Sequence, residues 1–279
     1  MFKHLLSTNR SRTIYNRYLS TKSTVDPAQT RIFETLSKKW KREGEGFKLL
    51  WAMNDLRVSW VQNRLIEIGT ISRSTTANKS NSLQGISILD VGCGVGIFAK
   101  PLSRLGADVT GLDCNSEMLK VADVHKQNEG IANLKYILST IEEHSVAYEE
   151  KYDVVIASET IEHVLEKELF VKNCIKCLKP GGSFFLTTNS KSQSSKFLFI
   201  TLREDIIRDL PKGTHVYELF VDIEDVKDML KKENCEISFT SGIIYNPLNK
   251  KWYWIKNHHI LHYAVHAVKR QNLNNLDHL

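Results

Sequence analysis

From residue 86 onward the chain alternates between two hydrophobic rhythms. Short apolar runs such as Ile86-Ser-Ile-Leu-Asp90 and Tyr152-Asp-Val-Val-Ile-Ala-Ser158 read as buried strands, and the stretches between them space their apolar residues for helices. The pattern predicts strands at 86–90, 107–113, 134–138, 152–158 and 182–189, with two more near 236–241 and 263–269. A helix is expected over Leu165 to Leu178, and Lys179-Pro-Gly-Gly182 is the turn that stops it and launches the next strand. Seven strands alternating with helices imply an α/β domain, its mostly parallel sheet covered by helices on both faces. Ligands of such sheets bind at the carboxyl ends of the strands.

Upstream, residues 26–71 read as a helical extension, with Phe33, Leu36 and Trp40 along one face and a second helix from about Asn54 to Ile68. A polar loop at 72–85 follows, most of it the low-complexity run Ser72 to Ser82. The strip 196–215 interrupts the alternation. Phe197, Leu198, Phe199, Ile200, Leu202, Ile206, Ile207 and Leu210 are interleaved there with charges, a pattern that fits an amphipathic helix. Such a helix either packs on the domain or lies against a bilayer as a substrate lid. The domain itself is expected to span 86–270, leaving a tail at 271–279.

The formal charge of +6 invites a nucleic-acid reading, but its distribution argues against one. Lys3, Arg10, Arg12, Arg17 and Lys22 fall in residues 1–25, which contain no acid, and the rest of the chain carries only about +1. A Ser-, Thr- and Arg-rich, acid-free start is the composition of a mitochondrial transit peptide, and Arg17-Tyr18-Leu19-Ser20 resembles a matrix-protease site. No run approaches the ~18–20 apolar residues of a membrane span. Cys174-Ile-Lys-Cys177 has no second pair to complete a zinc site, so the five cysteines are expected to be reduced packing residues.

Asp90-Val-Gly-Cys-Gly-Val-Gly96 follows the first strand directly and precedes a helical stretch, Ile97 to Leu105. Glycines let the backbone turn sharply and approach a ligand closely. A dinucleotide fingerprint needs a glycine at position 97, where this chain has isoleucine. The spacing Asp90-x-Gly92-x-Gly94-x-Gly96 instead resembles motif I of class I S-adenosylmethionine (SAM) methyltransferases. Asp113, at the end of the second strand, is placed to accept both ribose hydroxyls.

After the fourth strand, Glu159, Glu162 and His163 stand at i, i+3 and i+4, on one face if the turn is helical. They suit a metal or a base, and the spacing alone leaves both open. Six pieces occurring in order then resemble the ubiquinone-biosynthesis O-methyltransferases. These are Phe47-Lys-Leu-Leu with Met53-Asn54-Asp-Leu-Arg57, the glycine turn, Ala157 to Val164, Leu178 to Gly182, Pro211-Lys-Gly-Thr-His215 and Tyr245-Asn-Pro-Leu248.

The resemblance implies a Rossmann-like class I methyltransferase fold and methylation of a hydroxyl on a polyprenylated catechol. It places Arg57, Gly92, Asp113 and Ser158 on SAM, and Glu159, Glu162 and His163 on positions that resemble the family's magnesium site, with the histidine leaving manganese, cobalt or zinc open. A metal holding both catechol oxygens would lower a phenol pKa near 10 and aim the oxygen. His215 is a second candidate base. Peripheral contact with the matrix side of the inner mitochondrial membrane, and association with other enzymes of the pathway, are also implied. The chain departs from the family at Trp40-Lys-Arg, where most members have Trp-Trp-Asp, and at Val95, commonly glycine. Two rivals stand beside this reading: a methyltransferase for another small acceptor, and a non-catalytic subunit of a membrane-bound assembly.

Overall fold

The computed structural model describes residues 24–43, 48–72, 81–207 and 212–271. Eight strands make one sheet: β1 (Ser87–Val91), β2 (Asp108–Asp113), β3 (Leu134–Leu138), β4 (Tyr152–Ser158), β5 (Leu178–Asn189), β6 (Cys235–Asn246), β7 (Lys251–Ile255) and β8 (His262–Lys269). Their order is β3-β2-β1-β4-β5-β8-β6-β7. The first five run parallel. Strand β8 is antiparallel to both β5 and β6, so β6 runs with the parallel set, and β7 returns along the edge as a hairpin. The longer α-helices among the described residues are α1 (Pro27–Glu43), α2 (Lys48–Glu67), α3 (Ala99–Arg104), α4 (Ser116–Glu129), α5 (Ile141–Ala147), α6 (Lys167–Cys177) and α7 (Ile223–Lys232).

The central strands β1 and β4 are largely apolar because both faces are buried, and the pleat sorts neighbouring residues to opposite sides. Leu89, Val155, Phe184 and Leu186 pack with Phe170 and Val171 of α6 and Val226 and Leu230 of α7. Ile88, Val154, Ile156 and Phe185 face the other way, onto Trp60, Val61 and Leu65 of α2 and Leu102 of α3. Each such side chain contributes about 1.5–3 kcal/mol by leaving water. Two caps fix the loops leaving β2 and β3. The Asn115 side chain accepts hydrogen bonds from the amides of Glu117 and Met118 at the start of α4, and Thr140 forms a capping box with Glu143 on α5.

Four expectations change. The sheet has an eighth strand, because Lys251-Trp-Tyr-Trp-Ile255 pairs with β6 across a tight hairpin. The turn Lys179–Gly182 lies inside β5 as a bulge: pairing jumps from Tyr152↔Leu178 to Val154↔Ser183, with Gly181 at φ 79°. The 196–215 strip is not one regular amphipathic helix; a short helix at Gln193–Lys196 runs into a π-helical segment, Phe197–Ile207. The second helix of the N-terminal extension begins at Lys48, ahead of the expected start near Asn54. The transit-peptide segment, apart from its last two residues, and most of the Ser72–Ser82 loop lie outside the described residues, as does the 271–279 tail beyond Gln271. All five cysteines are unpaired. No helix among the described residues is long and apolar enough to cross a membrane.

Candidate active site

A pocket opens at the carboxyl ends of β1, β2 and β4, lined by the glycine turn, Arg57, Asp113, Ser158 and Glu159. Its floor is the glycine turn. The amides of Gly92 and Cys93 donate to the Leu112 carbonyl at 2.7 and 3.0 Å, which folds the loop back onto β2. The Gly94 amide donates to Asp113 Oδ2 at 2.8 Å, and Asp113 Oδ1 accepts from the Asn115 amide at 2.8 Å. Asp113 therefore braces the turn as well as facing the pocket. Two glycines differ in what they face. A Cβ on Gly96 would stand 2.0 Å from Tyr136 Oη, whereas a Cβ on Gly94 would meet nothing within 4 Å.

Arg57 reaches the pocket from α2. Its Nη1 donates to Ser158 Oγ at 2.7 Å, and its Nη2 donates to Asn54 Oδ1 at 2.6 Å and to the Leu50 carbonyl at 3.0 Å. The guanidinium lies 4.5 Å over the Phe98 ring, and burial lowers its pKa to about 10. Its Nε has no partner, and neither does Oδ2 of buried Asp90. Burial lifts the Asp90 carboxyl to about 7, against the pull of Arg57. Two orphaned groups of opposite sign in one pocket leave a costly imbalance. The carboxylate and ammonium of an amino-acid ligand would satisfy both.

A directed hydrogen-bond chain runs on from Arg57. Ser158 Oγ and Thr187 Oγ1 are 2.7 Å apart, and Thr187 donates to Glu159 Oε1 at 2.6 Å. Thr187 must then accept from Ser158, which in turn accepts from Arg57. His262 Nε2 meets the same Glu159 oxygen at 2.7 Å. Burial works against a charge on Glu159, yet His262, Thr187 and Arg57 hold its pKa well below the usual carboxylate range.

The proposed metal ligands do not come together. Glu159 sits at φ 56°, in the left-handed region, so the helical alignment assumed for residues 159, 162 and 163 never forms. Only Ile161–His163 makes a single 3₁₀ turn. Glu162 is buried away from the pocket and accepts from Thr188 Oγ1 at 2.8 Å; burial and the nearby Glu159 charge push its pKa up. Nδ1 of His163 is engaged by Gln29 Oε1 at 3.0 Å. Among the described residues no three His, Cys, Asp or Glu side chains converge as a metal site. As arranged, this donor set does not fit a divalent cation.

His215 lies just behind the pocket wall. Its ring centroid is 5.9 Å from that of His163, and its Nδ1 and backbone amide both engage Glu204 Oε1, at 2.9 and 2.7 Å. Over the pocket runs a strap that sequence reasoning did not assign to the site. Val25 bridges to Val164, the Thr24 amide donates to Glu142 Oε1 at 2.9 Å, and the Leu165 amide donates to the Thr24 carbonyl at 2.9 Å. Gln29 follows on α1. Gln29, Thr187, Glu204 and His262 were all missed, because partners far apart in sequence leave no spacing signal. Asn54 alone had one, three residues before Arg57 on a helix.

Residues 89–186 match a family model described as a methyltransferase domain. The mitochondrial ubiquinone biosynthesis O-methyltransferase of Rattus norvegicus is 37% identical over 268 residues, covering 95% of this chain and 76% of that protein. The ubiquinone biosynthesis O-methyltransferase of Acinetobacter baylyi is 33% identical over 245 residues, covering 88% and 96%. Among solved structures, the magnesium protoporphyrin IX methyltransferase of Synechocystis with bound SAH superposes with a TM-score of 0.53 at 20% identity, covering 79% of this chain and 83% of that one. That likeness concerns the fold.

Proposed function

The chain belongs to the ubiquinone biosynthesis O-methyltransferases, and from that membership we propose that it methylates one hydroxyl of a polyprenylated catechol at the pocket described above. SAM, when bound, supplies a methyl group on a sulfonium sulfur. The rest falls to this chain's residues. Arg57 clamps the amino-acid carboxylate, Asp90 faces the ammonium, and the Gly92–Gly96 turn with Asp113 receives the nucleoside. Ser158 holds the Arg57 guanidinium in place. Glu159 and His163 line the acceptor side. Gln29 Oε1 accepts a hydrogen bond from His163 Nδ1, so Nε2 offers a lone pair to the acceptor hydroxyl, and Glu159, held ionised, orients that hydroxyl as a hydrogen-bond acceptor. Lining up the hydroxyl oxygen with the methyl is the main catalytic task, because a displacement gains most from orientation.

The observation that carries this reading is the orphaned pair Arg57 Nε and Asp90 Oδ2. It is the polarity pattern that an amino-acid ligand would complete, sitting on the fold of SAM-dependent methyltransferases. The direct test is transfer of labelled methyl from SAM to a short-tailed prenyl catechol by the purified protein. Label on the catechol supports the reading; tight SAH binding without transfer to any catechol would defeat it.

The place of action is the mitochondrion, consistent with mitochondrial relatives and with the acid-free N-terminal segment. A prenyl tail partitions into a bilayer, so the enzyme is taken to work on the matrix side of the inner membrane, beside other enzymes of the pathway. Support comes from the insert. Phe197 and Ile206 are 58% and 64% exposed there, while buried Glu204 ties the same segment to Gly213 and His215.

A further inference from the structure

We propose that the β6–β7 hairpin is a second membrane anchor, which with the insert seats the mouth of the pocket on an anionic bilayer. The proposal rests on the peripheral-membrane reading above and names an element that reading does not include. The overall charge balance of the folded part conceals a local asymmetry. No Asp or Glu occurs between Glu236 and Asp277. Of the cations in that stretch, Lys269 and Arg270 pair with Glu150 and Glu236. Lys250, Lys251 and Lys256 are exposed, on and beside the hairpin, with no acid near them in sequence.

Apolar groups accompany these lysines. Leu248 at the hairpin tip is 94% exposed, and Ile244 and Tyr253, a cross-strand pair, stand on its outer face. The tip is held in shape by its own bonds. Asn246 Oδ1 accepts from the Leu248 amide at 2.9 Å, and Asn249 Nδ2 donates to Tyr253 Oη at 2.6 Å. Trp252 anchors the hairpin inward, donating from Nε1 to the Leu49 carbonyl at 2.9 Å. The turn thus holds a leucine in water beside two lysines.

Topology sets the direction. His262 pairs with Asn189, the last residue of β5, and with Ile243 of β6. Strand β6 continues past that point to Asn246, so the tip projects from the end of the sheet at which the pocket opens. The insert begins at the same end: Ser195 Oγ donates to the Leu261 carbonyl at 2.9 Å, next to Ile260, which is 52% exposed. The insert and the two ends of the β7 segment therefore display Phe197, Leu248 and Ile260 at one end of the molecule, beside lysines. Apolar side chains that enter the interface, with lysines against anionic headgroups, are the chemistry of peripheral membrane attachment.

The test is flotation of the full chain with vesicles of phosphatidylcholine alone or with one-third phosphatidylglycerol. The Leu248→Ser/Lys250→Glu/Lys251→Glu variant is compared with Phe197→Ser/Ile206→Ser and with wild type. The wild type is expected to prefer anionic vesicles, and the hairpin variant to partition roughly tenfold less, with SAH affinity and turnover of a short-tailed catechol unchanged. A hairpin variant that floats like wild type overturns the proposal while leaving the insert's role intact. If instead it loses only association with other proteins, the surface belongs to a protein partner and the proposal also falls. A wild type that binds neither vesicle removes the peripheral-membrane reading itself.

Discussion

Gln29 Oε1 accepts a hydrogen bond from His163 Nδ1 at 3.0 Å, joining the strap over the pocket to the turn after β4. The amide's orientation is set by its other end, because Gln29 Nε2 donates to the Gly213 carbonyl at 3.0 Å. His163 must then carry its proton on Nδ1. Burial, with His215 beside it, lowers its pKa to about 3, so the ring is neutral. Gln29→Ala leaves a buried carbonyl and a buried N–H without partners, at a cost of about 1–3 kcal/mol. The expected result is a lower denaturation midpoint together with a larger loss in kcat/KM for the acceptor than in SAH affinity. Wild-type stability and turnover in this variant would mean that the bridge does not order the site.

Arg57 spends three of its five N–H donors on fixed acceptors and keeps two, Nε–H among them, for ligand. Lysine carries a single flexible ammonium and cannot reproduce that fork. Arg57→Lys is therefore expected to weaken SAH binding by at least tenfold, about 1.4 kcal/mol, as read by titration calorimetry. Unchanged affinity would show that the carboxylate of the ligand lies elsewhere.

Asp90 makes binding depend on pH. Burial lifts its folded pKa to about 7, above the ordinary aspartate value of about 4. Between those values the folded state holds the extra proton, so the ligand-free protein loses stability as pH rises from about 4 to 7. A ligand ammonium favours the ionised carboxylate and expels that proton. SAH affinity should then rise with pH up to about 7 and level off above it. Calorimetry near pH 6.5 in two buffers of different ionisation enthalpy should detect proton release, and Asp90→Asn should abolish it. Equal heats in both buffers for the wild type would remove Asp90 from the ammonium's environment.

Strands β1 to β4 were legible almost to the residue: burial leaves apolar runs in β1 and β4, and turn residues bound the shorter patterns of β2 and β3. The glycine turn and Asp113 were legible because backbone geometry demands particular residues there. What escaped depends on register and on one backbone angle. Ser158 meets Thr187, and His262 meets Glu159, only because β4, β5 and β8 align as they do. The metal reading failed at Glu159, whose left-handed backbone breaks a helical spacing that looked sound in one dimension. Strand β7 escaped because it follows a hairpin without a glycine pair, although its aromatic residues favour a strand.

The two glycines of the turn separate folding from binding. Gly96 sits at φ 77°, and a methyl there would overlap Tyr136 Oη. Left-handed strain of about 1–2 kcal/mol adds to overpacking of about 1–3 kcal/mol, so Gly96→Ala should be clearly destabilised in urea. Gly94 sits at φ 55° with open space beyond its Cα. Gly94→Ala should lose only the backbone part of that cost and remain folded, yet bind SAH at least tenfold more weakly, since its methyl enters the volume assigned to the ligand. If Gly94→Ala binds SAH like the wild type, that open volume is not the ligand's, and the turn serves the fold alone.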